Sequence, residues 1–307
     1  MVKKEQAEQI VRKVYSSAEV KSISLYKKGI INRNYEIVTA NPEKEFILRV
    51  FPKDSWKAEK EQYVYGLMAR HIPIPLPVIY LCDSSQSIIN SSYLLLSKIS
   101  GTELDAAYKK TKDGNLIIKA GEYLAMIHSI KMPSFGWIMG DGISPSFKKW
   151  TAFLEYDINE KLSKLEKIKS FPKEIITDSR NYFIRKRKML EIKDEPCLLH
   201  KDYHFSHIIA KDNQIEGIID VEWAIAGHNE LDVVKSMMWM FDKMPEIEHY
   251  FLAGYTKLGR LSKSFYIRKP IYEFLILISS LSLAYEYKNI NWVKPQAKKI
   301  KEILRNG

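Results

Sequence analysis

The chain has 307 residues, 46% of them hydrophobic, which is enough for two lobes that each bury a core. Its net charge of +11 would be compatible with binding to nucleic acid. The lysines are spread along the chain, however, and their densest runs alternate with apolar residues at helical spacing. This pattern indicates solvated helix faces, so we expect no nucleic-acid partner.

The first half of the chain predicts a helix, a group of strands and a second helix, in that order. The predicted segments are residues 1–20, 22–51 and 56–71. A polar turn at residues 39–45 divides the strands. Prolines at positions 73, 75 and 77 end the second helix, because proline cannot donate the helical hydrogen bond.

After a linker at residues 98–101 the pattern is mainly helical. Helices are predicted within residues 116–128 and 148–192, with a loop at 135–137 between them, and again from 231 to the C-terminus. We therefore expect an α+β fold with a small antiparallel-sheet lobe and a larger, mainly helical lobe. The expected domains are residues 1–100 and 101–307.

Neither export nor membrane insertion is indicated. Only Cys82 and Cys197 are present, which predicts no disulfide framework and fits a reducing cytoplasm. The N-terminal charges have helical spacing without the apolar stretch of a signal peptide. The longest apolar run, residues 274–284, is about half of the roughly 20 residues that a membrane span requires. We expect a cytoplasmic protein with no membrane partner.

The most informative segment lies between residues 199 and 232. Asp202 follows a short apolar strand, and His207 stands five residues later at the start of another strand. Asp220 ends the next apolar run, and the pair Asp212-Asn213 between the two strands favours a hairpin turn. Since a hairpin brings its two ends together, Asp202, His207 and Asp220 should converge.

Phosphoryl transfer needs such a convergence, because its catalysis is mostly positioning and charge neutralisation. One carboxylate must orient an acceptor hydroxyl and accept its proton, a role that fits Asp202. A second carboxylate with a neutral partner must hold Mg²⁺ against the nucleotide phosphates, which fits Asp220 and His207. Each residue alone would be an ordinary polar residue of a loop; the joint spacing favours the catalytic interpretation.

The segment resembles the H-G-D-x-x-x-x-N, I-D-x-x and D-L-A series of the aminoglycoside phosphotransferase superfamily. The residues that carry the resemblance are His200, Lys201, Asp202, His207, Ile219, Asp220 and Asp232. This likeness implies the two-lobed fold of protein kinases, a catalytic base at Asp202, and metal ligands at His207 and Asp220.

The resemblance continues upstream in the order of that family. Residues 29–35 resemble the first hairpin over the nucleotide, residues 46–51 the third strand, residues 60–75 the R-E helix with its I-P-x-P exit, and residues 93–101 the linker that meets the base. It implies that nucleotide is contacted by Asn32, Arg49, Glu61, Leu96 and Lys98. Arg49 takes the place of the phosphate-binding basic residue, with Glu61 as its ion-pair partner.

Two positions depart from the family pattern. Lys201 replaces the glycine after the histidine, which is harmless if the backbone there keeps a negative φ. His207 replaces asparagine and offers an imidazole nitrogen, a poorer match to hard Mg²⁺. Macrolide kinases and gentamicin-type 2''-phosphotransferases of the superfamily also carry histidine at this position.

Supporting roles are expected around the site. His200 should hold the loop through backbone hydrogen bonds, and Asp232 should accept hydrogen bonds from the loop backbone. His204 and His228 receive no ligand role. Glu222 faces the same side as Asp220 and could reach a metal or an acceptor.

The sequence thus predicts a kinase that uses ATP or GTP with Mg²⁺ to phosphorylate a hydroxylated small molecule. An aminoglycoside-like antibiotic is the favoured acceptor, which would make the protein a resistance enzyme. A metabolite kinase for a sugar, an amino alcohol or a nucleoside-like compound is the close alternative, and a nucleotide-binding module without transferase activity is a third. Glu155, Asp157 and Glu160 could form an acidic pocket for a cationic antibiotic, or could be surface charge.

Overall fold

The computed structural model describes residues 1–26, 31–169 and 171–306. The smaller lobe contains a five-stranded antiparallel sheet in the order β1-β2-β3-β5-β4 and two helices. Its elements are α1 (Lys4–Arg12), β1 (Glu19–Leu25), β2 (Arg33–Asn41), β3 (Lys44–Phe51), α2 (Trp56–His71), β4 (Ile79–Asp83) and β5 (Ser92–Ser97). Alternate residues of β2, such as Tyr35 and Ile37, face the core, as expected for a sheet with one covered face.

The larger lobe is mainly helical, so the α+β expectation of a sheet lobe followed by a helical lobe is confirmed. Its helices are α3 (Leu104–Thr111), α4 (Gly114–Ser129), α5 (Trp150–Glu166), α6 (Lys173–Lys186), α7 (Asn229–Met240), α8 (Glu248–Leu258), α9 (Phe265–Glu286) and α10 (Ile290–Asn306). Its strands are β6 (Thr102–Glu103), β7 (Phe135–Ile138), β8 (Ile143–Phe147), β9 (Cys197–Leu199), β10 (Ile208–Lys211), β11 (Gln214–Ile218) and β12 (Ile225–Gly227).

The boundaries of α2 agree with the prediction, whereas α1 is shorter than predicted. It ends at Arg12, after which the N–H groups of Lys13 and Val14 bond three residues back, to Ile10 and Val11, as the chain turns toward β1. The apolar run at residues 274–284 lies within α9 and is largely buried, as expected. Within the described part of the chain, no helix has the length and apolarity needed to cross a bilayer.

The expected loop at residues 135–137 is wrong, because these residues belong to β7. This strand pairs with β8 and with β12, whose residues lie about ninety positions away in sequence. Only four residues long, β7 has too little alternation to be recognised locally, and its pairing depends on tertiary contacts. Helix α3 was not predicted either.

Helix α2 connects the two lobes physically. Val64, Tyr65 and Met68 on this helix belong to the large core of the helical lobe. The last strand of the smaller lobe, β5, ends at Ser97, and the first strand of the larger lobe, β6, begins at Thr102. The chain therefore passes between the lobes in the interval that contains the expected boundary at residue 100. The exact division at residue 100 stays a prediction.

Two glycines allow α4 and α8 to pack closely. A Cβ atom on Gly254 would lie 1.9 Å from the carbonyl oxygen of Ile118, and one on Gly121 would lie 2.1 Å from that of Phe251. Both obstacles are backbone atoms, which cannot rotate away, so the two helices would have to separate to admit a side chain.

We therefore expect Gly254→Ala to destabilise the protein by about 1–3 kcal/mol or more, the range of overpacked cores. The measurement is the free energy of unfolding from urea denaturation. Gly142→Ala is the matched control, since a Cβ there meets no atom within 4 Å. Equal stability of the two variants would mean that α4 and α8 pack less closely than the structure indicates.

Candidate active site

The hairpin of β10 and β11 brings the predicted catalytic residues together. Asp212 and Asn213 both have positive φ, 48° and 61°, as the twist of a two-residue hairpin requires. At the open end, His207 Nδ1 lies 3.4 Å from Asp202 Oδ2, and His207 Nε2 lies 3.5 Å from Asp220 Oδ2. One imidazole therefore stands between the two carboxylates.

The catalytic loop is held by hydrogen bonds to its backbone. The Asp232 carboxylate accepts from the N–H of His200 at 2.7 Å and from that of Lys201 at 2.9 Å. The His200 ring is 3.1 Å from the carbonyl oxygen of Ile219, so its Nε2 donates across the hairpin. Asp232 and His200 thus have the supporting contacts expected from the sequence.

The condition under which Lys201 would be harmless, a negative φ, is not met. Its φ is +60°, in the left-handed region, where a residue with a side chain costs about 1–2 kcal/mol relative to glycine. The loop nevertheless keeps this conformation, because Asp232 binds its N–H and the Lys235 ammonium contacts its carbonyl oxygen. The sequence alone could not indicate this, since the φ depends on those distant partners.

Asp202 is surrounded by cationic and donor groups. Lys235 Nζ lies 2.7 Å from its Oδ1, and His204 Nε2 lies 3.7 Å from its Oδ2. Burial opposes its ionisation, but Lys235 and the hydrogen bond from His204 outweigh burial and hold the pKa of Asp202 well below its usual range. Asp202 is therefore an ionised acceptor that can orient a hydroxyl group.

Lys235 was missed by the sequence reasoning. It stands on α7 three residues after Asp232, so the two side chains share one helix face, and this i, i+3 spacing was the available signal. Tyr65 was missed as well: its hydroxyl accepts from the backbone N–H of Asp220 at 3.0 Å and fixes the end of the hairpin.

We expect Lys235→Met to lower kcat/KM at pH 7 about 10- to 100-fold, the effect of losing a charge-assisted hydrogen bond. Removal of this ammonium raises the pKa of Asp202, and the ionised form is the active one. The acid limb of the pH–rate profile should therefore move to higher pH. Lys235→Arg, which keeps the charge, should move it less; superimposable profiles for all three proteins would contradict the role of Lys235.

Beside Asp220, three carboxylates surround one guanidinium. Arg49 contacts Glu61 at 2.9 Å, Asp220 at 2.6 Å and Glu222 at 3.7 Å. Burial disfavours the charge of Arg49, but these three partners together raise its pKa. Burial, opposed by Arg49, raises the pKa of Glu61 to about 8, and the repulsion from Asp220 and Glu222 adds to it. Lys57 Nζ adds a second cation, 3.8 Å from Glu222 Oε2.

This arrangement fits a divalent cation. The three carboxylates each offer an oxygen, and these atoms lie within 4.8 Å of one another. His207 Nδ1 is 2.8 Å from the carbonyl oxygen of Asp202, so Nδ1 carries the hydrogen and Nε2 presents a lone pair to Asp220. Two acceptors that face each other need a proton or a cation between them. The metal roles of His207 and Asp220 stay predictions.

The predicted nucleotide-binding residues lie in different surroundings. Asn32 lines the cleft and donates to Glu222 at 2.6 Å. Leu96 is buried at the end of β5, and Lys98 is paired with Glu36 and with Glu45. Residues 29 and 30, the start of the predicted hairpin over the nucleotide, are outside the described residues. The nucleotide contacts of all five positions stay predictions.

A cleft of about 810 Å³ opens over Asp202, His207 and Asp220. Seven Lys or Arg side chains and five Asp or Glu side chains line it, among the residues that the structure describes. Glu155, Asp157 and Glu160 are not among these lining residues. Glu155 pairs with Arg187 on the outside, and Asp157 is buried and pairs with Lys161.

The chain matches one protein family and several solved structures. A family model described as "Phosphotransferase enzyme family" matches residues 22–264. The search of curated proteins gave no match.

Three solved structures show that the fold is shared. One is a thermostable mutant of aminoglycoside phosphotransferase APH(4)-Ia in a ternary complex with AMP-PNP and hygromycin B, 14% identical over 98% of both chains with a TM-score of 0.74. A proposed fructosamine-3-kinase from Thermobifida fusca YX-ER1 is 14% identical over 97% of this chain and 98% of its own, with a TM-score of 0.75. The gentamicin complex of APH(2'')-IIa is 15% identical over 98% and 96%, with a TM-score of 0.69.

Proposed function

Because this chain belongs to the phosphotransferase enzyme family, we propose that it transfers the γ-phosphate of ATP or GTP to a hydroxyl group of a small molecule. One observation carries the proposal. An ionised carboxylate, Asp202, and a group of carboxylates suited to a metal, including Asp220, meet on opposite sides of His207 in one cleft.

In this mechanism Asp202 accepts a hydrogen bond from the acceptor hydroxyl and aligns its oxygen with the γ-phosphorus. The new oxygen–phosphorus bond forms as the bond to the β–γ bridging oxygen breaks, and the nucleoside diphosphate leaves. Since the pKa of Asp202 is low, the hydroxyl proton passes to it late, when the attacking oxygen has already become acidic. Lys235 keeps Asp202 ionised until then.

Asp220 and the neighbouring Glu222 would hold Mg²⁺ together with His207, whose Nε2 lies 3.5 Å from Asp220, and the ion when bound would neutralise charge on the nucleotide phosphates. Arg49 and Asn32 lie next to these carboxylates and would steady the inner phosphates. Leu96 and Lys98 would border the base.

ATP and GTP both remain within the proposal, and the AMP-PNP complex of APH(4)-Ia makes an adenine nucleotide the first to test. The free cysteines Cys82 and Cys197 support a cytoplasmic location.

The acceptor could be aminoglycoside-like, as the hygromycin B and gentamicin complexes of related folds suggest. A specific observation favours the second candidate, a metabolite kinase. Cationic side chains outnumber acidic ones along the cleft, and the acidic residues proposed for a cationic antibiotic lie elsewhere. A polycationic acceptor would meet electrostatic repulsion there.

The test is phosphate transfer from radiolabelled ATP and GTP, with Mg²⁺, to a panel of aminoglycosides and hydroxylated metabolites. Asp202→Asn is the matched negative control. We expect at least one metabolite to be phosphorylated by the wild type alone. If an aminoglycoside is the acceptor despite this repulsion, a local acidic group must attract it, and KM should then rise with ionic strength because salt screens that attraction. Mg²⁺-dependent nucleotide binding without transfer to any acceptor would favour the non-catalytic alternative.

A further inference from the structure

Three lysines surround one tryptophan in the cleft. The Nζ atoms of Lys201, Lys161 and Lys60 lie 4.2, 5.0 and 5.5 Å from the centroid of the Trp137 ring. They come from the catalytic loop, α5 and α2, and all four residues line the cleft. We call this group the Trp137 lysine cluster.

Among the described residues, a single ion pair neutralises part of the charge of the cluster. Asp157, which is buried, contacts Lys161. Lys60 is fully buried, and its Nζ has no hydrogen-bond partner among the described residues. Lys201 likewise has no carboxylate within 4 Å in the described part of the chain. A buried ammonium without a counter-charge is costly, so the cluster favours an anion.

The pKa values agree with this geometry. Burial, with repulsion from Lys201 and Lys57, lowers the pKa of Lys60 to about 7. Burial, with repulsion from Lys161 and Lys235, outweighs the attraction of Asp157 and lowers the pKa of Lys201 to about 8. An ion pair would have the opposite effect, because a neighbouring carboxylate stabilises the charged form.

The backbone conformation of Lys201 also supports a role for its side chain in the cleft. A φ of +60° favours glycine, yet a lysine stands there and directs its ammonium over the Trp137 ring. Strain of this kind concentrates at functional sites. The cost is consistent with a role for the side chain in the cleft.

We propose that the Trp137 lysine cluster binds an anionic group, a carboxylate or a phosphate, on the molecule whose hydroxyl is phosphorylated. The acceptor is then a hydroxylated small acid and not a polyamine. This inference rests on the proposed function and specifies its substrate class. The tryptophans strengthen it, because five of the six in the chain line the cleft and offer ring faces against which a sugar or planar ring can pack.

The centre of the cluster lies on a different element from the carboxylates that would hold the metal, although Glu222 and Glu61 also attract Lys60. Asp220 and Glu222 contact Arg49 and Asn32 of the sheet lobe. Trp137, in contrast, lies on β7 of the helical lobe, where Lys161 of α5 joins it. Since Lys201 precedes Asp202 in the chain, an anion at the cluster would be adjacent to the proposed base.

The first test uses inorganic sulfate as the probe, titrated at constant ionic strength and followed by calorimetry. The variant combines Lys60→Met with Lys201→Gly. It should fold at least as stably as the wild type, because it removes an unpaired buried charge and the strain of a positive φ. Lys164→Met is the matched control, since Lys164 lines the same cleft but pairs with Glu286 at 3.4 Å.

We expect saturable sulfate binding by the wild type and by Lys164→Met, weakened about 10- to 100-fold in the double variant, as for lost charge-assisted hydrogen bonds. Binding should persist in the presence of Mg²⁺ and AMP-PNP. Three results would overturn the proposal: no saturable sulfate binding, equal binding by the double variant, or displacement of sulfate by the nucleotide, which would assign the cluster to nucleotide phosphate.

The second test compares acceptors in matched pairs, glucose with glucuronate and ribose with ribose 5-phosphate, and includes aminoglycosides. The anionic member should have a kcat/KM at least about tenfold higher, and the double variant should abolish this preference through KM. If neutral or polycationic acceptors were phosphorylated with the same kcat/KM by the wild type and the double variant, the inference about the acceptor would be contradicted. The proposed kinase function would be unaffected. Loss of Mg²⁺-dependent nucleotide binding would instead count against the proposed function.

Discussion

Asp202→Asn should lower turnover about 100- to 10,000-fold, the usual effect of losing a general base, while nucleotide affinity changes little. The amide keeps the shape of the carboxylate, so the loop should retain its fold. It no longer accepts the hydroxyl proton, and its NH₂ group is a donor that would face the Lys235 ammonium or the His204 ring, both of which donate to the carboxylate. The measurements are kcat with the best acceptor and the Kd of AMP-PNP with Mg²⁺.

Asp178→Asn is the control for the same chemical change, since Asp178 is exposed on α6, outside the cleft. It should have wild-type kinetics. Near-normal turnover of Asp202→Asn with an acceptor that the wild type uses would show that the base has been assigned to the wrong residue.

Asp220→Ala should abolish Mg²⁺-dependent nucleotide binding, because Asp220 brings a full negative charge to the predicted metal site. Arg49 would keep Glu61 and Glu222 as partners, so its buried charge would remain compensated and the fold should survive. Asp220→Asn provides a second, isosteric variant that also keeps the backbone hydrogen bond to Tyr65. The measurement is titration of AMP-PNP with and without Mg²⁺, beside Tm.

A substitution at His207 should have a much smaller effect than one at Asp220. We expect His207→Asn to be tolerated, or to improve the use of Mg²⁺ relative to Mn²⁺, because an amide oxygen suits the harder ion better than an imidazole nitrogen. Metal titration of both variants distinguishes the two roles. A folded but inactive His207→Asn protein, together with intact Mg²⁺ dependence in Asp220→Ala, would reject both metal assignments.

Local chemistry made part of the structure predictable. The bounds of α2 follow from an apolar face and the prolines at positions 73, 75 and 77. The hairpin follows from Asp212-Asn213, whose side chains tolerate positive φ, and from the apolar runs on either side. Because that hairpin fixes where its ends meet, the sequence also determined that Asp202, His207 and Asp220 converge.

Only the tertiary structure decided the rest, because it depends on contacts between residues far apart in the chain. The short strand β7 exists through its pairing with β12, and the positive φ of Lys201 through its hydrogen bonds with Asp232 and Lys235. Neither leaves a periodic signal in its own segment.

The charge of the cleft is the clearest example of a property that depends on the tertiary structure. The sequence indicated a solvated helix face for the lysine run of α5, and it left Glu155, Asp157 and Glu160 open between an acidic pocket and surface charge. The folded chain instead turns Lys161 toward Trp137, beside Lys60 and Lys201 from two other elements. A summed charge depends on the directions of side chains from separate elements, and these directions are set by packing rather than by any local pattern.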